Sequence, residues 1–198
     1  MGSVSRCRAG AAAAVCLFPL ACGSIEKQTA GSTGGADSGI LLAPPGASPR
    51  DQAGWSVCIN ELMASNNAAL VIEDGSTPDW LELHNPTNVA ISLEGWTMIN
   101  ESTGGEAPLD GLEFLEPGAF LLLYADGSTA GAPHLPFTLS KEGATVSLNR
   151  PDGGGDRIRY GETYEDQAIF RSTDCCASDE PDCFDAGYGG TPGASNQD

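Results

Sequence analysis

Asp79-Trp80-Leu81-Glu82-Leu83-His84-Asn85 is the stretch on which the fold turns. Large apolar residues (Trp80, Leu81 and Leu83) are interleaved with polar ones over the length of a single strand, and Asn85-Pro86 stops it. A partner lies upstream in Val57-Cys58-Ile59-Asn60-Glu61-Leu62-Met63-Ala64. The two read as the opening strands of a small antiparallel β domain.

The remaining chain repeats that grammar. Short apolar segments are predicted at residues 89–93, 96–99, 112–114, 120–124, 135–139, 145–148, 157–160 and 167–171. Turn signals separate them: Glu94-Gly95, Glu116-Pro117-Gly118, Asp126-Gly127, Glu142-Gly143 and Asp152-Gly153-Gly154-Gly155. The continuous run Phe120-Leu121-Leu122-Leu123-Tyr124 reads as a central buried strand, and residues 167–171 as a last edge strand. No helix of useful length is predicted. Regularly spaced short strands with Gly-rich turns point to an all-β sandwich or barrel. Trp80, Trp96, Phe114, Phe120, Leu122 and Val146 are the expected core.

The ends of the chain carry its address. Arg6 and Arg8 precede an apolar run from Ala9 to Ala21, too short to span a bilayer, so residues 1–21 read as an export signal. The run ends in Pro19-Leu20-Ala21-Cys22, which resembles a bacterial lipobox, with Pro19 where that pattern has an aliphatic residue. The resemblance implies that Cys22 becomes an acylated N-terminus, anchored in a membrane through its lipid chains. The alternative is an ordinary secretory signal. Residues 22–54, rich in Gly, Ser, Ala and Pro, read as a flexible tether, and residues 55–198 as one domain.

Charge narrows the partners. The chain has 27 acidic and nine basic residues; three of the acidic and four of the basic ones precede Trp55, so the domain retains a formal charge of −19. A field of that sign argues against nucleic acid and anionic lipid headgroups and reads as a solvated acidic surface.

Beyond Cys22, four cysteines remain: Cys58, Cys175, Cys176 and Cys183. An even number in an exported domain predicts two disulfides. Adjacent cysteines rarely pair, so Cys58 is expected to join one of Cys175, Cys176 or Cys183, with the other two paired locally. No Cys-x2-Cys spacing supports a zinc ribbon.

Six motifs then resemble the lamin tail domain in its bacterial form. They are Ile59-Asn60-Glu61, the Asp79 to Asn85 stretch, Leu93-Glu94-Gly95-Trp96, Leu115-Glu116-Pro117-Gly118-Ala119-Phe120, Leu139-Ser140-Lys141-Glu142-Gly143, and Gly190-Thr191-Pro192-Gly193-Ala194-Ser195-Asn196. They stand in family order from Ile59 to Asn196. The resemblance implies an immunoglobulin-like β-sandwich that serves as an accessory module of secreted or surface proteins rather than as an enzyme. The segment from Cys175 to Cys183 is longer than the family pattern.

Candidate sites are few. Asn60, Glu61, Trp80, Glu82 and Asn85 lie in the most recognisable motifs; a Glu61–Glu82 ligand pair is one reading, and bonds from these polar side chains to backbone at strand ends is the other, which turn chemistry favours. Glu73, Asp74 and Asp79 are weak calcium candidates, without the spacing of an EF-hand. The two histidines, His84 and His134, belong to no catalytic motif. Tyr160, Tyr164 and Tyr188 are the candidates for a glycan-binding aromatic platform. The sequence therefore predicts no cofactor and no catalytic constellation. It predicts a binding or scaffolding module of the cell envelope, with an envelope protein or glycan as partner. The alternative is an accessory module of a hydrolase system with weak glycan or calcium binding.

Overall fold

The computed structural model describes residues 57–112, 114–180 and 182–197. Among these residues nine strands make two antiparallel sheets: β1 (Cys58–Met63), β2 (Trp80–His84), β3 (Thr97–Asn100), β4 (Gly105–Pro108), β5 (Phe120–Tyr124), β6 (Ala144–Asn149), β7 (Gly155–Tyr160), β8 (Gln167–Arg171) and β9 (Phe184–Tyr188). The larger sheet runs β5-β2-β1-β8-β9 and the smaller β4-β3-β6-β7. Among the described residues every regular element is a strand, as the sequence led us to expect of a sandwich. The signal, tether and Cys22 lie outside the described residues.

Alternation explains the layers. In β2, Leu81 and Leu83 face the main core with Ile59 and Leu62 of β1, Met98 of β3, Val146 and Leu148 of β6, and Ile158 of β7. Trp80 points the other way. With Met63 and Ala168 it forms a second, separate apolar cluster on the opposite face of the larger sheet, flanked by Ala69, Leu70, Leu122, Tyr124 and Phe170. That face is therefore not free of cover, and what covers it defines the site described below.

Several expectations are corrected. Phe114 is 63% exposed, and Phe120 and Leu122 are only half-buried. The run 120–124 is an edge strand, apolar on both sides because its outer face packs on the Trp80 cluster. Residues 167–171 form an interior strand, with β9 as the edge beyond them. Among the described residues, 89–93, 112, 114 and 135–139 form no strands; isolated bridges such as Ile91 to Leu115 and Asp126 to Thr138 tie these regions in. Trp96 is buried but precedes β3.

Three further devices hold the sandwich. The turn at Glu116-Pro117-Gly118 closes with the Ala119 N–H donating to Glu116 O at 3.0 Å, and Gly118 takes the positive φ of +70° that this turn needs. Asn85, wholly buried, donates through Nδ2 to the carbonyls of Val89, Leu115 and Glu116 at 2.8–3.0 Å, which stitches two loops to the end of β2. Between the sheets, Arg171 of β8 and Asp156 of β7 form a buried ion pair at 2.6 Å, their side chains 1% and 2% exposed. Asp156 also accepts the Ile59 N–H at 2.7 Å, and Arg171 donates to Ile59 O at 2.8 Å and to Cys176 O.

Candidate functional site

The outer face of the larger sheet brings together the motif residues of both opening strands. Glu61 and Glu82 are direct partners across β1 and β2, in register with Phe170 of β8 and Leu122 of β5. The register of β1 slips between Ile59 and Glu61, so Asn60 sits in a bulge that aims it away from the ladder. From there Asn60 Nδ2 donates to Asp174 Oδ1 at 3.0 Å, and Asn60 Oδ1 accepts the Cys175 N–H at 3.2 Å.

The C-terminal segment, residues 190–196, lies over these groups. The Thr191 N–H and hydroxyl donate to Glu61 at 3.0–3.2 Å. The Gly193 N–H donates to Glu82 Oε2 at 2.6 Å. The Ser195 hydroxyl and the Asn196 N–H donate to Asp174 at 2.6 and 3.1 Å. Asn196 Nδ2 reaches the carbonyls of Asn60 and Arg171 at 3.3 and 3.0 Å. Gly190 is required by contact as well as by its φ of +65°: a Cβ there would stand 2.8 Å from Glu61 Oε1 and 3.2 Å from both Ala168 Cβ and Trp80 Cη2.

Burial dominates the electrostatics. It raises the Glu61 carboxyl and pushes Glu82 up to about 7, with the neighbouring Glu61 and Asp174 charges adding to the second shift. Asp174 moves the other way: its bonds from Ser195, Asn60 and Asn196 outweigh its burial and hold it below the usual range. His84, on the same strand as Glu82, stacks on Phe120 at 4.1 Å, and its Nδ1–H donates to Ala119 O at 3.1 Å. Burial lowers its pKa.

This arrangement binds chain to chain. Glu61, Glu82 and Asp174 are spent on amide and hydroxyl donors of the same molecule. A shallow cleft of about 200 Å³ does open beside the segment, lined by Phe170, Tyr188, Thr191 and Asn196 among others. The polar groups of Glu61, Thr191 and Asn196 in its wall already bond one another or neighbouring backbone. Of the three tyrosines, Tyr160 is buried, whereas Tyr164 and Tyr188 are 62% and 75% exposed.

The calcium candidates are not gathered. Asp74 accepts the Ser76 N–H at 2.8 Å and Asp79 the Asn66 N–H at 3.0 Å, both within the loop between β1 and β2. No group of three His, Cys, Asp or Glu side chains among the described residues is placed to hold a metal. His134 lies elsewhere, 2.6 Å from Asp126. The pairing left open among the cysteines is Cys58 with Cys175 and Cys176 with Cys183. Two disulfides imply an oxidising compartment.

Sequence reasoning missed two elements of the site. One is Asp174, which stands among the acidic residues near the C-terminus with no motif to mark it. The other is the landing place of the Gly190 to Asn196 motif, although the motif itself was visible. No curated protein matches the chain. The family model described as Lamin Tail Domain matches residues 50–162, more than half of the chain, and stops before β8, β9 and the segment that covers the carboxylates. On that match, over the strands just described, the chain belongs to the lamin tail domain family, whose fold is immunoglobulin-like.

Proposed function

We propose that this protein is a non-enzymatic module of the bacterial cell envelope, held to a membrane by lipid on Cys22 and presenting its sandwich on the 22–54 tether for binding or scaffolding. The observation that carries the reading is the pair of disulfides. They fit an exported domain, and the Cys58–Cys175 link ties β1 to the C-terminal region across 117 residues. The commitment of Glu61 and Glu82 to the chain's own amides supports a structural use of the family motifs rather than a catalytic one.

The test is fractionation of the full chain and its Cys22→Ser variant after export. The proposal expects the parent in the membrane pellet, extracted by detergent but not by salt, and the variant released. Equal release of both would leave a secreted module. Hydrolase activity that Glu82→Gln abolishes at unchanged stability would contradict the non-enzymatic reading. The exposed Tyr188 beside the cleft favours one alternative, an accessory module with weak glycan binding. Retention on insoluble polysaccharide that Tyr188→Ala abolishes would support it.

A further inference from the structure

We propose that residues 190–196 are a detachable strap that closes over the outer face of the larger sheet in mild acid and loosens as the medium approaches neutrality, uncovering Trp80 and Ala168.

The first ground is the manner of attachment. The segment joins neither sheet. Its root is tied by the Gly189 N–H donating to Asp166 O at 2.9 Å, and within it the Ala194 N–H donates to Thr191 O. The other bonds given above run to the side chains of Glu61, Glu82 and Asp174 or to the carbonyls of Asn60 and Arg171. At its start Gly190 lies so close to Trp80 and Ala168 that a Cβ on it would stand 3.2 Å from each. A segment that joins no sheet depends on its polar bonds to stay in place.

The second ground is what lies beneath. Met63, Trp80 and Ala168 are wholly buried, and Trp80 Nε1 has no hydrogen-bond partner among the described residues. Lifting the strap admits water to this apolar face. The strap brings no titratable side chain of its own: it reads Gly-Thr-Pro-Gly-Ala-Ser-Asn. The groups that face it are Glu61 on β1, Glu82 on β2 and Asp174 after β8. His84 stands farther along β2 under Phe120, and Asp185 of β9 is paired with Phe170 in the row of Glu61.

The sign follows from which state buries the carboxyls. Closed, Glu82 has its pKa at about 7; opened to water, it returns towards its ordinary 4.5. The closed state thus holds an extra proton between these values, and closure weakens by up to tenfold per pH unit from about 4.5 to 7, then levels off. Glu61 is raised by the same burial and acts in the same direction. Asp174 is lowered, so its contribution is complete above the ordinary carboxylate range and does not change across this window.

Amide exchange of the full chain, corrected for intrinsic rates, reads the strap directly. The Glu82 titration predicts that protection of the Gly193 N–H falls roughly 70-fold between pH 5 and pH 8, and that it stays well below the protection of Leu62 in β1 at both pH values, because the strap opens without the sheet. In Glu82→Gln, which still offers an oxygen to Gly193, most of that slope disappears. Equal Gly193 protection at both pH values, or Gly193 protection as high as that of Leu62, overturns the proposal. So does an undiminished slope in Glu82→Gln. The parent's own profile decides the matter even where the variant fails to fold.

Discussion

Replacing Arg171 with Met should be the most damaging single change in the domain that leaves its cysteines intact. The side chain is 1% exposed and its partner Asp156 is 2% exposed, with guanidinium-to-carboxylate distances of 2.6 and 2.8 Å. Met fills much of the volume but leaves the Asp156 carboxylate buried without its cation, which costs about 3–5 kcal/mol. The carbonyls of Ile59 and Cys176 lose a donor as well. With a urea slope of about 2 kcal/mol/M, the unfolding midpoint should drop by roughly 1.5–2.5 M. The assay is urea unfolding of the oxidised protein followed by far-UV circular dichroism. Asp156→Asn with Arg171→Met supplies the internal check. It removes the stranded charge and keeps an oxygen for the Ile59 N–H, so it should recover part of the loss. A single-variant cost below about 1 kcal/mol, or a double variant worse than the sum of the singles, would refute the claim that this pair locks the two sheets together.

Other outcomes follow from the same geometry. Removing Cys58–Cys175, whose ends are 117 residues apart, should cost about 5 kcal/mol in the chain-entropy view, and removing Cys176–Cys183, seven apart, about 2.5 kcal/mol; paired Cys-to-Ala variants in urea test the order. Gly155→Ala should cost at least about 2 kcal/mol, because φ there is +146° and a Cβ would collide with Leu148 O, breaking the β6–β7 pairing. Phe114→Ser should change stability by less than about 0.5 kcal/mol, given its exposure, and a larger loss by thermal melting would return Phe114 to the core. The Glu82 contribution to global stability should be full near pH 4.5 and lost as pH rises through about 7, a swing of about 3 kcal/mol; Glu82→Gln should lack it in urea titrations run at both ends.

The strands that were legible in the sequence are those in which period-2 patterning and turn signals agree. β1, β2 and β6 are examples, each bounded by Asn, Gly or Pro. β4 and β9 were not legible for a plain reason. Gly105-Glu106-Ala107-Pro108 and Phe184-Asp185-Ala186-Gly187-Tyr188 have almost no apolar alternation, because each is an edge strand with little to bury. The 120–124 run misled in the opposite direction. Its outer face is apolar because Leu122 and Tyr124 serve the Trp80 cluster, so a strand that looks central by composition lies at an edge. Phe114 shows that an aromatic residue in a short segment read as a strand need not be inside.

The site was half legible. The polar motif residues Asn60, Glu61, Glu82 and Asn85 stood out, and so did the closing Gly-Thr-Pro-Gly segment. Their meeting did not, because Glu61 and Thr191 are 130 positions apart and the pairing of β1 with β8 brings them together. Arg171 carried a faint signal. It is one of five basic residues in a strongly acidic domain, and it shares a face of its strand with Ile169. Periodicity can place such a residue inward, but it cannot name Asp156, which lies on the other sheet, as the partner.

The most direct test of an exported, stapled and anchored module is the intact mass of the membrane-extracted protein, taken before and after reduction and alkylation. The account predicts a chain that begins at Cys22 and carries acyl chains. Cys58, Cys175, Cys176 and Cys183 should alkylate only after reduction. A mass without acyl chains would remove the anchor, and alkylation of any of those four cysteines before reduction would contradict the stapled sandwich itself.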